Sequence, residues 1–150
     1  ADFQCPACRM GYESLEKVKE KYKGKVRFIH KNIPLPMHRL APLAAQIYEA
    51  LLYTDKAKAV AFYKKAYSEQ GQWKTEKDLW KIAKAVGGQQ QKIEAVIKKG
   101  EVDKAIETDL EEHREQGFEG TPAYIINGVA LYGAQSEEQL SAVIDRLLKK

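Results

Sequence analysis

Apolar residues recur every three or four positions through most of this chain and switch to short runs in only two places. Leu15, Val18 and Tyr22 share one helical face that stops at Gly24, a residue suited to a helix C-terminus. Lys25 to Lys31 follows, with Val26 and Phe28 alternating against Arg27, and predicts a strand that ends before Pro34 and Pro36. Five helical stripes come next. They are Leu40, Leu43, Ala44, Ile47 and Leu51; Val60, Tyr63 and Tyr67; Leu79, Ile82, Ala83 and Val86; Ile93, Val96 and Ile97; and Val102, Ile106, Leu110 and His113. The third opens at Thr75 with Asp78 three residues later, a variant of the capping box, and stops at Gly87-Gly88. These stripes read as core faces, and His113 as a partly buried packing histidine. After Gly117 the period changes. Pro122 to Asn127 reads as a strand, Asn127-Gly128 as a tight hairpin turn and Val129 to Tyr132 as the return strand. Ser136 then caps a last helix with Leu140, Val143, Ile144, Leu147 and Leu148 on one face.

Without the helical block, a β-α-β…β-β-α unit remains. Its halves, residues 1–33 and 118–150, are expected to pair into one helix-covered sheet, with 37–116 as an inserted helical domain. Only Ala1-Asp2-Phe3 stand where a first strand would end, so that strand is largely missing from the chain as given. The expectation is a longer natural protein or a strand supplied from elsewhere, with an exposed sheet edge that invites strand exchange between chains.

Composition narrows the function classes. At 150 residues the chain is one domain, or one domain with an insertion. Its 44% hydrophobic and 31% charged residues are those of an ordinary globular protein. The net charge of +4 comes from lysines spread along helix faces, which makes no case for nucleic acid. No apolar run approaches the ~20 residues of a membrane span. The longest, Leu40 to Leu52, is broken by Pro42, Gln46 and Glu49. No signal peptide is visible in the sequence, which opens close to its cysteines.

Those cysteines carry the chemistry. Cys5 and Cys8 are the chain's only two, spaced as CxxC on the first turn of the first predicted helix. Free backbone N–H groups and the helix dipole there favour a thiolate, the species that attacks disulfides. Zinc sites use the same spacing but need four ligands, and His30, His38 and His113 are scattered without ligand spacing, so no metal is expected. Two buried structural cysteines are the plain alternative. Pro6, suited to the first helical position, weakens it, as does the geometry of a helix start, where Cys5 faces outward and Cys8 inward.

The segment Asp2-Phe3-Gln4-Cys5-Pro6-Ala7-Cys8, the loop Pro34-Leu35-Pro36-Met37-His38, and Gly120-Thr121-Pro122 through Asn127-Gly128 to Gly133-Ala134-Gln135 occur in that order. Together they resemble the DsbA-like thiol:disulfide oxidoreductases of the thioredoxin superfamily. The resemblance implies a thioredoxin fold with an inserted helical domain. It implies Cys5 as exposed nucleophile, Cys8 as buried partner, Pro122 in cis against the disulfide, and the Thr121 backbone as a hydrogen-bonding edge for substrate. Gly-Thr-Pro is also a common turn, and Pro122 equally suits the start of a strand. Pro6-Ala7 lacks the histidine of strongly oxidising members, so a Cys5 thiol acidified chiefly by the helix terminus is expected, less so than in those relatives. Thr121 replaces the valine of many strong oxidants, which leaves the direction of electron flow open. Lys31 is either the basic member of a charged pair beneath the site, its acid missing, or an edge charge facing solvent. Met10, Met37 and Leu40 are candidates for the substrate surface, or ordinary core residues.

The reading is a dithiol oxidase that uses the Cys5–Cys8 disulfide and no other cofactor. Its substrates would be unfolded or reduced secreted proteins, in a periplasm or another extracytoplasmic space. The family implies a membrane quinone-linked thiol reoxidase as partner. Alternatives are an isomerase or reductase of the same superfamily, or a non-redox peptide-binding module.

Overall fold

The computed structural model describes all 150 residues. Seven helices and one hairpin follow in the order α1 (Pro6–Lys21), α2 (Ala41–Thr54), α3 (Lys56–Ser68), α4 (Glu76–Ala85), α5 (Gln90–Lys98), α6 (Glu101–Glu115), β1 (Ala123–Ile126), β2 (Val129–Tyr132) and α7 (Glu137–Leu148). Local chemistry sets most of the boundaries. Pro6 occupies the first turn of α1, where its missing N–H costs nothing. Asp55 ends α2 and caps α3, accepting from the N–H groups of Ala57 and Lys58. Thr75 with Asp78 and Ser136 with Gln139 form complete capping boxes at α4 and α7. Acids in the first turn of α6 and His113 and Arg114 in its last turn suit the helix dipole.

The central element is α2, which buries Ala41, Ala44, Ala45, Ile47, Tyr48, Ala50 and Leu51. Its small alanines let α3, α5 and α6 pack close around it. The period-based stripes match the helices, with one register correction. In α3 Val60 is 41% exposed, and the buried face runs through Ala59, Phe62, Tyr63, Ala66 and Tyr67.

The sheet is smaller than the pattern predicts. β1 and β2 pair antiparallel around a two-residue turn with Ile126 opposite Val129. Asn127 and Gly128 both have positive φ (43° and 88°), the backbone a type I′ turn needs. Lys25 to Lys31, expected as a strand, do not form one: Lys25 lies in a turn and residues 26–31 are irregular. A strand needs a ladder partner, and this segment finds one only at its end. There the Ala1 amine donates to the Lys31 carbonyl (2.8 Å) and the Ile33 N–H donates to the Ala1 carbonyl (2.8 Å), the pattern of a parallel bridge. Between this segment and β1 lies an open cavity of about 610 Å³, so the two halves are not hydrogen-bonded into one sheet.

Two apolar clusters result. The larger has 22 buried residues, mostly from α2 to α6, and includes Phe3, Cys5 and Cys8. The smaller has four, Val18, Tyr22, Leu140 and Ile144, where α1 and α7 meet under the hairpin. No helix is long and apolar enough to cross a membrane.

Candidate active site

Cys5 is the N-cap of α1 and Cys8 lies in its first turn. The backbone before them is held from a distance. Gln70, in the loop after α3, donates its side-chain amide to the carbonyls of Phe3 (2.8 Å) and Cys5 (3.0 Å). Phe3 is buried in a cage of rings, stacked on Tyr67 with centroids 5.0 Å apart and edge-on to Phe62 and Tyr63. Asp2 is also buried. Its carboxylate accepts from the N–H groups of Gln4 and Leu35 and meets Nδ1 of His38, each at 2.7 Å. Its own N–H points at the Cys8 sulfur at 3.4 Å. Asp2 therefore joins the cysteine segment to the loop of residues 34–40. Gln4 adds a second tie by accepting from the Leu40 N–H at 2.7 Å.

The Thr121–Pro122 peptide bond is cis. The Thr121 carbonyl lies 3.7 Å from Cys5 Sγ, whose thiol donates weakly to it, so two segments 116 residues apart meet at the sulfur. Beside that loop, Gly117, Glu119, Gly120, Tyr132 and Gly133 shape an open pocket of about 330 Å³. Behind the cysteines, the larger cavity reaches Cys8, Gly11, Tyr12, Phe28, His30 and Tyr124.

Burial pushes the Cys8 thiol up to about 12, against the smaller downward pull of the Thr121 hydroxyl and the Asp2 N–H. Cys8 is thus a thiol at neutral pH. Nearby His30, packed against Phe3, Tyr48 and Tyr63, is pushed down to about 3, first by burial and then by the α-amino group of Ala1.

The structure brings Cys5, Cys8, Thr121 and Pro122 together. Pro6 is exposed, and Ala7 packs half-buried against the larger core. Three expectations need correction. Cys5 was expected to be exposed, yet only 7% of it is, because the N-cap position and the Thr121 carbonyl cover its sulfur. Leu40 does not line a surface: it is 2% exposed, drawn into the core as the Gln4 bond fixes its backbone. Met10 and Met37 are 63% and 72% exposed. Lys31 does not lack an acid. It pairs with Asp109 at 3.1 Å and Glu112 at 2.8 Å on α6, half-exposed at the surface.

Sequence reasoning missed Gln70, Tyr67 and Tyr124 as site residues and quoted Asp2 and His38 only within longer motifs. Asp2 was the one with a signal, an acid set between apolar neighbours next to the cysteines. Nothing local marks Gln70, whose role exists only once α3 is folded.

The family model Thioredoxin_4, described as thioredoxin, matches residues 1–146. The chain belongs to the thioredoxin family. Among solved structures it is similar to the thiol-disulfide exchange protein α-DsbA2 from Wolbachia pipientis. The TM-score is 0.88 at 23% identity, over 98% of this chain and 78% of that one. The catalytic domain of Proteus mirabilis ScsC gives 0.88 at 24% identity, over 100% and 81%. A periplasmic thioredoxin-like protein from Salmonella enterica serovar Typhimurium gives 0.81 at 25% identity, over 100% and 82%. These likenesses establish a DsbA-like thioredoxin fold, in which helices predominate over a small sheet. The sequence matches no curated protein.

Proposed function

We propose that this protein is a thiol-disulfide oxidoreductase, and within that class a dithiol oxidase that places disulfides in secreted or periplasmic proteins. The observation that carries the reading is the asymmetry of the pair. Both residues are buried, but one sulfur stands at a helix N-cap facing the carbonyl before a proline, and the other lies inside the first turn with its thiol pushed up to about 12. Burial holds Cys8 as a thiol, and Cys5 is the sulfur that faces the proline loop, which makes Cys5 the group that exchanges in this reading and Cys8 the one that closes the ring.

The chemistry balances as follows. A substrate thiolate attacks Cys5 Sγ, a substrate–Cys5 disulfide forms, and the Cys5–Cys8 bond breaks with its electron pair on Cys8. A second substrate thiolate then attacks the substrate sulfur and expels the Cys5 thiolate. The substrate loses two electrons and two protons, and the cysteine pair gains them. The cis-proline loop would offer the Thr121 backbone to an extended substrate segment, with exposed Met10 and Met37 as adaptable apolar contacts. The chemistry suits an extracytoplasmic compartment. It calls for a reoxidant of the pair, for which a membrane quinone-linked thiol reoxidase is the proposed partner.

The test is equilibration in glutathione buffers. A potential well above the ~−270 mV of thioredoxin supports the oxidase. A value near or below it overturns the oxidase and leaves a reductase. A pair that does not exchange at all overturns the enzyme in favour of a peptide-binding module. In the same assay Cys5→Ser abolishes exchange, and Cys8→Ser accumulates the mixed disulfide.

A further inference from the structure

Asp2 meets both cysteines through its main chain. Its N–H points at the Cys8 sulfur at 3.4 Å, and its carbonyl accepts from the Cys5 N–H at 3.2 Å. None of its side chain is exposed. A buried carboxylate persists only where donors meet it. Three do so, each at 2.7 Å: the Gln4 N–H on Oδ1, and the Leu35 N–H and His38 Nδ1 on Oδ2.

The three donors differ in kind. Two are backbone groups, which almost any residue at positions 4 and 35 would supply. The third is a side chain, so it depends on the identity of residue 38. A carboxylate oxygen only accepts, so Nδ1 is the nitrogen that carries the hydrogen. The ring reaches inward from the surface, with 21% of the side chain exposed. Its backbone is fixed as well. The His38 N–H donates to the Leu35 carbonyl at 3.0 Å, and the His38 carbonyl accepts from the Ala41 N–H at 3.2 Å, at the start of α2. The donor is therefore anchored to the central helix of the larger core.

The exchange reaction gives this arrangement a use. When the Cys5–Cys8 disulfide opens, the incoming thiolate bonds to Cys5 Sγ and the S–S electron pair goes to Cys8 Sγ. A sulfur that takes up charge accepts hydrogen bonds more strongly than a disulfide sulfur does. The Asp2 N–H is aimed at that atom, and a donor there favours the opened state. We propose that His38 is a positioning residue of the cysteine pair: its Nδ1–H holds the Asp2 carboxylate, and so keeps the Asp2 N–H on Cys8 Sγ and the Asp2 carbonyl on the Cys5 N–H as the disulfide opens and closes. His38 bonds to neither cysteine and acts through Asp2 alone.

This inference rests on the exchange reading. Its test is the equilibrium of the full chain with glutathione, in which the disulfide and two glutathione thiols give the dithiol and one glutathione disulfide. The rate of opening and the proton NMR position of the Asp2 amide are read in the same samples. His38→Phe keeps a ring and removes the donor. It is expected to lower the equilibrium constant about threefold, to slow opening by about the same factor, and to move the Asp2 amide of the reduced protein upfield as its bond to sulfur lengthens. His38→Asn returns an N–H close to the place of Nδ1 and is expected to restore all three. Asp2→Asn sets an amide among the donors and is expected to match His38→Phe; should the phenylalanine variant fail to fold, Asp2→Asn decides. Wild-type equilibrium, rate and amide position in the deciding variant overturn the positioning role while leaving exchange intact. A change in His38→Phe that His38→Asn does not restore overturns it too, because the donor would then not be the cause. A wild-type pair that never equilibrates with glutathione overturns exchange itself, and the role of His38 with it.

Discussion

The two segments that meet at Cys5 stand on different foundations. The cysteine segment is seated on the larger core: Phe3, Cys5 and Cys8 belong to a cluster of 22 buried residues, and Gln70 clamps their backbone from α3. The cis-proline loop leads into a two-stranded hairpin over a cluster of four. Its strands are only half-buried, with Ile125 50% and Tyr132 62% exposed. The difference separates two demands on one site. The sulfur pair must keep a fixed geometry through breaking and remaking a bond, so it rests on dense aromatic packing. The proline loop, the proposed edge for substrate, rests on the lighter part, where small rearrangements cost little.

That contrast can be broken most forcefully at Phe3. Phe3→Ala leaves a cavity under the cysteines and should cost about 3–5 kcal/mol in urea unfolding, with loss of exchange rate as the segment loosens. Leu140→Ala, in the smaller cluster, should cost about 2–3 kcal/mol. Its distinctive sign is faster amide exchange confined to the hairpin and α7, with the cysteine segment still protected. Equal loss of protection in both regions would dissolve the distinction.

Acid tests the heavy side alone. The His30 pKa is held at about 3 in the fold, against an ordinary value near 6.5. The unfolded chain therefore binds a proton there that the folded chain refuses. Its contribution to stability is complete above pH 6.5 and is lost progressively as pH falls toward 3. Comparison of His30→Phe with wild type across pH 4 to 7 should show a shallower acid decline in the variant, and parallel curves would refute this assignment. Gln70→Ala removes two hydrogen bonds and should cost about 1–2 kcal/mol, with a larger effect on exchange rate than on unfolding. Met37→Ala, at a 72% exposed position, should change stability by less than about 0.5 kcal/mol while raising the KM for an unfolded protein substrate.

Periodicity served the heavy side best. The stripes from Leu40 to Leu110 became α2 to α6, and the Thr75–Asp78 and Ser136 caps formed as their spacing indicated, because these signals are local and depend on little else. The hairpin was legible for the same reason, since Asn127-Gly128 dictates its own turn. The segment from Val26 to Lys31 was not. Alternation reports which side chains can face a core, but a strand also requires a neighbour for its backbone, and no pattern within the segment records whether one is present. At the site, spacing pointed to Cys5 and Cys8, and the likeness of Gly120-Thr121-Pro122 to a family motif pointed to the loop that faces them. Gln70, Tyr67 and Tyr124 stayed invisible because their contacts with the cysteine segment and α1 join distant parts of the chain and arise only from packing.

The Gln70 clamp has a consequence for modularity. The helical block interrupts the unit that carries the cysteines, and a cut-and-paste view would treat it as an accessory that could be trimmed to leave a minimal redox scaffold. Excising it would remove the amide that holds the Phe3 and Cys5 carbonyls together with Phe62, Tyr63 and Tyr67 beneath Phe3. A shortened chain would keep both sulfurs and lose the floor on which they stand. The block is therefore not a detachable part, and any miniaturised version would have to build a new seat for its first five residues before it could do redox work.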